Sequence, residues 1–321
     1  MELRPLGNSG IEVTPVALGC WPISGVSSLE VNDADSLATI EACFDAGVNF
    51  LDTAYMYGRH GESERLIARA VGSRRDEIVI ATKCGMHWDE QNERAADGRP
   101  DMLRRECEES LRRLNTDHVE LLYLHAPDPA TSIAESAAGL KRLMDAGKTR
   151  SVGVSNLSVA QMEEFIRECP ISVVQPPYNM LQRQIEADLL PWCRERNIAT
   201  AVYWPLMKGL LAGKLPRDYQ FQPGDGRAKY PMFHGEEWEK NQTFLEELRK
   251  IATAAGKTVA QVVINWTLQQ PGITVCICGA KRPYQIQETA AAMGWRLSDE
   301  HVKKIDAALI ARGTPAVGSA V

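Results

Sequence analysis

The chain has 321 residues, 44% hydrophobic and 24% charged, with a formal net charge of −6 at pH 7. That length fits one large domain or two small ones, and the balance is that of an ordinary soluble globular protein. The acidic balance argues against nucleic acid as a general partner, though a local basic patch could still bind phosphate. No apolar run approaches the roughly 18–20 residues that span a bilayer, and MELRPLGNSG lacks the apolar core of a secretory signal, so a cytoplasmic location without membrane attachment is expected.

The chain opens with a predicted hairpin, LRPLG and IEVTP flanking the turn-rich Asn8-Ser9-Gly10. After it, short apolar and β-branched runs alternate with longer amphipathic stretches. The strand-like runs are VALG (16–19), VNFLD (48–52), IVIAT (78–82), VELLYLH (119–125), RSVGVSN (150–156), SVVQP (172–176), IATAVYW (198–204) and ITVCICG (273–279). Between them, Leu103, Cys107, Leu111 and Leu114 keep a helical period, as do Ile133, Ala137, Leu140 and Met144. Ser158 with Gln161, and Thr258 with Gln261, read as capping boxes. Pro283 suits the first turn of a further helix carrying Ile286, Ala290 and Met293, and Ser298 caps a last helix with Val302, Ile305 and Leu309 inward. Eight β-then-α units predict a closed parallel (β/α)8 TIM barrel over residues 1–321, read as a single domain, with extra helices after strand seven and at the C-terminus. A doubly wound open sheet is the competitor. No composition break parts the chain, and polar residues capable of chemistry follow strand after strand, which a barrel gathers on one face. The interruption at 205–257 is read as a loop over that face.

Several motifs lead elsewhere and fail. The triplets Gly147-Lys148-Thr149 and Gly256-Lys257-Thr258 have Arg142 and Ile251 where a P-loop needs glycine, so they are read as helix ends or caps. No GxGxxG follows a strand, so a dinucleotide would not be held in the Rossmann manner. The eight cysteines are scattered in apolar stretches and read as buried thiols; Cys276 and Cys278 would share a strand face. His87, His118, His234 and His301 have no carboxylate at ligand spacing and are read as solvated or loop residues, so no metal is expected.

The chemistry collects at strand ends. Strand two ends in Asp52 and runs on to Tyr57, strand three ends near Lys83 and strand four at His125. In a barrel these emerge together. A lysine with apolar flanks needs a partner when buried, and Asp52 is the natural one. A neighbouring ammonium should pull the Tyr57 phenol below its ordinary value of about 10, suiting it to protonate a carbonyl oxygen as hydride reaches carbon. His125 would orient and polarise that oxygen.

DTAYMYG, TKCG, LHAPD, GVSN, YWPLMKGLLAGK and GAKRPYQIQET stand in an order and spacing that resemble the aldo-keto reductase superfamily over nearly the whole chain. The resemblance implies Tyr57 as proton donor, Lys83 and Asp52 as its tuning pair, and His125 as substrate orienter. It also implies that Ser155, Asn156 and Gln175 hydrogen-bond a nicotinamide carboxamide on which Tyr203 stacks. Leu206, Lys208, Gly209 and Leu211 would cross the pyrophosphate, with Gly279, Lys281, Arg282, Gln285 and Glu288 at the adenosine end. Lys281 and Arg282 suit a ribose 2′-phosphate, so NADPH/NADP+ is the expected cofactor. Trp204, Thr289 and Cys278 depart from the family pattern, which commonly has a small hydroxyl residue, asparagine and proline there. Trp21 and Trp88, with Met56, Met86, Tyr178 and Met180, are candidates to line an apolar mouth for a small-molecule carbonyl substrate. A nucleotide-binding regulatory or redox-sensing subunit with little turnover is the alternative; a metal-dependent hydrolase lacks paired ligands. The physiological substrate, favoured direction and oligomeric state are not specified by these motifs.

Overall fold

The computed structural model describes residues 2–26 and 28–316, and in it the expected eight strands close into one parallel barrel. Ahead of the barrel, β1 (Arg4–Pro5) and β2 (Glu12–Val13) form the antiparallel hairpin. The first three barrel strands are β3 (Val16–Gly19), β4 (Phe50–Asp52) and β5 (Val79–Cys84). The short β6 (Met86–Trp88) and β7 (Arg94–Ala96) then form a second hairpin outside the barrel, absent from the expected pattern. The barrel resumes with β8 (Val119–Leu124), β9 (Thr149–Ser155), β10 (Val173–Gln175), β11 (Ala199–Val202) and β12 (Val275–Gly279), which pairs back onto β3.

Side-chain alternation fixes which face each residue serves. Ala17, Phe50, Val79, Ala81, Leu121, Tyr123, Val173, Ala199, Ala201, Val275 and Ile277 fill the interior, and Leu6 and Val13 of the hairpin join them. Gly153 makes room for Tyr123, because a Cβ there would lie 2.5 Å from the tyrosine ring. The alternate residues, such as Leu18, Leu51, Ile80, Leu122, Val154 and Cys276, pack outward against the helices. Those helices are α1 (Asp33–Asp45), α2 (Glu62–Val71), α3 (Pro100–Leu114), α4 (Ile133–Asp145), α5 (Val159–Phe165), α6 (Leu189–Glu195), α7 (Gly235–Ala255), α8 (Val259–Leu268), α9 (Pro283–Ala290) and α10 (Asp299–Arg312).

The extra helices after the seventh barrel strand and at the C-terminus are therefore α7 and α10. Both expected capping boxes form, and a third joins Ser132 to Glu135. Gly147 and Gly256 sit just past α4 and α7 with φ of 72° and 63°, the left-handed conformation that glycine adopts without a Cβ penalty at helix ends. All eight cysteines are buried and free, and Cys276 and Cys278 share the outward face of β12. Among the described residues no helix is long and apolar enough to cross a membrane.

Candidate active site

Asp52, Lys83 and His125 carry the inward parity of their strands, two residues beyond Phe50, Ala81 and Tyr123. They form the top layer of the interior, where apolar filling gives way to polar groups. Lys83 and Asp52 are both buried, with Nζ 2.6 Å from Oδ1. The ammonium also donates to the Thr53 carbonyl at 2.7 Å and to Tyr57 Oη at 3.3 Å, which accounts for its three N–H groups. Gln175 holds the other Asp52 oxygen through Nε2 at 2.7 Å. Burial would lower the Lys83 pKa, but Asp52 and Tyr57 outweigh it and hold the lysine protonated.

The Tyr57 phenol departs from the expected downward shift. Desolvation raises its pKa, and the opposing pull of Lys83 offsets only part of that rise. The hydroxyl thus keeps its proton through neutral pH, while Lys83 stands ready to stabilise the phenolate. The Tyr57 ring lies 6.0 Å from that of His125 in an edge-on arrangement. His125 is held well below the ordinary histidine value by burial and then by the cations Lys83 and Arg94.

His125 is accordingly expected to stay neutral in folded protein well below the ordinary histidine value. Because the unfolded chain binds that proton and the folded chain does not, this group lowers stability as pH falls below about 6.5. NMR titration against a His125→Gln reference checks this; a His125 resonance that titrates near the ordinary value of about 6.5 contradicts it.

A turn presents Tyr57: its N–H donates to the Ala54 carbonyl, and Gly58 follows at φ 102°, where a Cβ would strike Glu62. Trp88 Nε1 donates to the carbonyls of Met56 at 2.9 Å and Gly58 at 3.0 Å, one on each side of Tyr57. Trp21 meets the Tyr57 ring edge-on at 5.0 Å. Met56 and Met86 are buried beside them. Tyr178 and Met180, by contrast, belong to the outer core; Tyr178 stacks on Trp266 at 6.3 Å and donates its hydroxyl to Glu186. Their strand ends turn them behind the barrel wall, so they do not line the mouth.

The candidate nucleotide residues lie at and beyond the ends of β9 to β12. Ser155 donates to the Gln175 carbonyl, and Asn156, left-handed at φ 61°, donates to the His125 carbonyl and accepts from the Tyr203 hydroxyl at 2.9 Å. Trp204 and Lys208 are also left-handed, and Lys208 Nζ lies 3.6 Å from the centre of the Trp204 ring. Burial, followed by Lys229 and Arg94, lowers its pKa to about 7, and it has no ion pair among the described residues. A half-buried amine of this kind, beside the left-handed Gly209, fits a phosphate. Leu206 is half-buried, whereas Leu211 is turned fully into the core, so only its backbone could meet a ligand. The 205–257 stretch does return to this edge, with Tyr230 edge-on to Trp204 at 6.2 Å.

Beyond β12, Lys281 donates to the Leu29 carbonyl and Arg282 to the Glu30 carbonyl, with Asp35 3.4 Å from the guanidinium. Gln285 caps α9 through the Lys281 and Arg282 N–H groups, Glu288 pairs with Lys214, and Gly279 is exposed. Thr289 is buried with its hydroxyl on the Ile286 carbonyl.

Two histidines that look unpaired in the sequence are paired through space. His87 Nδ1 lies 3.0 Å from Glu106, and His118 contacts Asp117 and Glu120. Sequence spacing misses the first because Glu106 comes from α3. It misses the β6–β7 hairpin as well, whose signal is the turn Asp89–Asn92, where Asp89 accepts the Gln91 and Glu93 N–H groups and Asn92 is left-handed.

A model of the aldo/keto reductase family matches residues 15–310. The aldo-keto reductase YhdN of Bacillus subtilis is 36% identical over 312 residues, spanning 96% of this chain and 94% of its own. The NADH-specific methylglyoxal reductase of Escherichia coli is 32% identical, with 93% of this chain and 95% of that protein covered. Among solved structures, the glycerol dehydrogenase of Gluconobacter oxydans superposes with a TM-score of 0.90 at 36% identity, covering 99% of this chain and 98% of that one.

Proposed function

We propose, from the premise that the chain belongs to the aldo/keto reductase family and so is an oxidoreductase acting on carbonyls, that it reduces an aldehyde or ketone to the alcohol with NADPH. The observation that carries this reading is the Tyr57 hydroxyl, hydrogen-bonded to Lys83 beside buried Asp52 and edge-on to neutral His125. A reduced nicotinamide, when bound, supplies a hydride to the carbonyl carbon. Tyr57 gives its proton to the carbonyl oxygen, and Lys83 stabilises the phenolate left behind. Asp52 keeps Lys83 charged and placed, while Gln175 keeps Asp52 in register. A neutral His125 can donate one hydrogen bond to the same oxygen without competing for the proton. Trp21 and Trp88 wall the site and exclude water from it.

For the cofactor, Ser155, Asn156, Gln175 and Tyr203 would hold the nicotinamide end and Lys208 the pyrophosphate. Lys281 and Arg282 favour NADPH because their charges suit the extra phosphate. Relatives differ here, the Escherichia coli reductase being NADH-specific. Replacing Lys281 and Arg282 together by alanine is expected to weaken NADPH at least about tenfold and NADH less than about threefold. Equal weakening of both, by fluorescence titration, removes the phosphate-site assignment.

The direct test titrates purified protein with NADPH and NADH and then runs a carbonyl panel that includes 4-nitrobenzaldehyde. NADPH-selective binding with turnover is expected; tight binding with negligible rates on every carbonyl would overturn the reductase reading.

A further inference from the structure

The β6–β7 hairpin has no place in the barrel, yet it is fastened at the site from two sides. His87 is bonded to the buried Glu106 carboxylate, which also accepts the Gly85 N–H at 2.6 Å, so the hairpin is pinned to α3. Trp88 is pinned to the turn that presents Tyr57. Trp88 and Arg94 are direct cross-strand partners and therefore share a face, while His87 and Ala95 occupy the other. The Arg94 guanidinium carbon is 5.3 Å from the centre of the Trp21 ring, the indole that touches Tyr57, and 5.8 Å from that of Trp88.

Arg94 is exposed and its side chain has no ion pair or hydrogen bond among the described residues. Arg59, over the Trp88 ring at 4.0 Å, donates to the carbonyl and side-chain oxygens of Asn92 and has no acidic partner among the described residues. The acid on the Tyr57 loop, Glu62, is turned onto the His60 N–H instead. Arg94 is also close enough to help hold His125 uncharged. In a chain of net charge −6, positive charge without an acidic partner beside Tyr57 and His125 runs against the average and focuses a field that attracts an anion.

We propose that Arg94 is a specificity-determining residue that receives a carboxylate on the substrate, so that the preferred compound is an aldehyde or ketone also bearing a carboxylate. This rests on the carbonyl-reduction reading above. One planar guanidinium matches one carboxylate through two parallel N–H···O bonds and stays charged beside indoles, where a lysine would offer only a point charge. Arg94 packs on Trp21 and Trp88, the indoles that flank Tyr57, whereas Lys208 packs on Trp204; because the charge of Arg94 also reaches Lys208, cofactor binding is read alongside substrate preference in the test.

The test compares kcat/KM for 4-formylbenzoate and its methyl ester with NADPH; the two share ring and aldehyde and differ in charge. Wild type is expected to favour the acid by about tenfold at low salt, with the ratio shrinking as ionic strength rises. Arg94→Gln should bring that ratio to about one, chiefly through KM, and Arg94→Lys should recover part of it. A wild-type ratio near one overturns the proposal. So does an equal loss on both compounds in Arg94→Gln with weaker NADPH binding, which would assign Arg94 to the cofactor. If wild type turns over neither compound, nor 4-nitrobenzaldehyde, the carbonyl-reduction reading fails as well; turnover of the ester separates the two failures.

Discussion

Tyr57→Phe is expected to lower the rate of carbonyl reduction by about 10²–10⁴ while leaving NADPH affinity within about twofold. The substitution removes one oxygen from a ring otherwise held by Trp21 and by the flanking carbonyls that Trp88 clamps. Phenylalanine therefore keeps the loop in place. What is lost is the proton donor, and with it the acceptor that Lys83 holds at 3.3 Å. An interaction made only in the transition state shows as an equal fall in kcat and kcat/KM. The pH profile adds a second readout. Because burial leaves the Tyr57 pKa raised, the wild-type rate should hold across neutral pH and decline only in the alkaline range. Single-turnover measurements with NADPH and 4-nitrobenzaldehyde distinguish the outcomes. A Tyr57→Phe variant with near-normal rate, or one that loses cofactor binding in proportion to rate, removes Tyr57 from the role proposed for it.

Why so much of this site is legible in one sequence follows from alternation. Once VNFLD, IVIAT and VELLYLH are read as barrel strands, Asp52, Lys83 and His125 fall on the parity of Phe50, Ala81 and Tyr123, hence inward and at the same end. Ser155, Gln175, Tyr203 and Gly279 follow by the same count from Gly153, Val173, Ala201 and Ile277. Alternation says nothing about residues beyond the strands. Tyr178 and Met180 leave β10 in the right direction but turn outward onto Trp266 and the outer core, a choice made by packing with α8. The Glu106–His87 bond joins residues 19 apart whose meeting depends on how α3 seats against β5. The direction of the Tyr57 shift is likewise beyond reach: the sequence names the cation that lowers it, while the larger desolvation exists only once Trp21 and the loop close around the ring. Lys281 and Arg282 are visible as charges, but their grip on the Leu29 and Glu30 carbonyls links two segments 252 residues apart.

The Asp52–Lys83 pair supplies the other large effect, because its contributions to stability and to chemistry can be pulled apart. The Lys83 and Asp52 side chains are almost fully buried, at 1% and 3% exposure, in a layer whose floor is Tyr123 and the apolar interior. Lys83→Met removes the cation and leaves the Asp52 carboxylate with Gln175 alone. Breaking a buried pair in this way costs about 3–5 kcal/mol, since the remaining charge must be buried unpaired or take up a proton. Asp52→Asn strands the ammonium in the same manner. The double variant Asp52→Asn/Lys83→Met removes both charges, keeps an acceptor for Gln175, and replaces the lysine stem with one of similar length. It is therefore expected to regain most of the lost stability, with a coupling of about 2 kcal/mol or more in a denaturant-unfolding cycle. Turnover should not return, because the phenolate formed at Tyr57 then has no cation beside it. If the two losses simply add, the pair is not a coupled charge unit in the folded protein. If the double variant is both stable and within about tenfold of wild-type activity, Tyr57 does not depend on Lys83, and a different source of phenolate stabilisation must be sought among the groups that touch its ring.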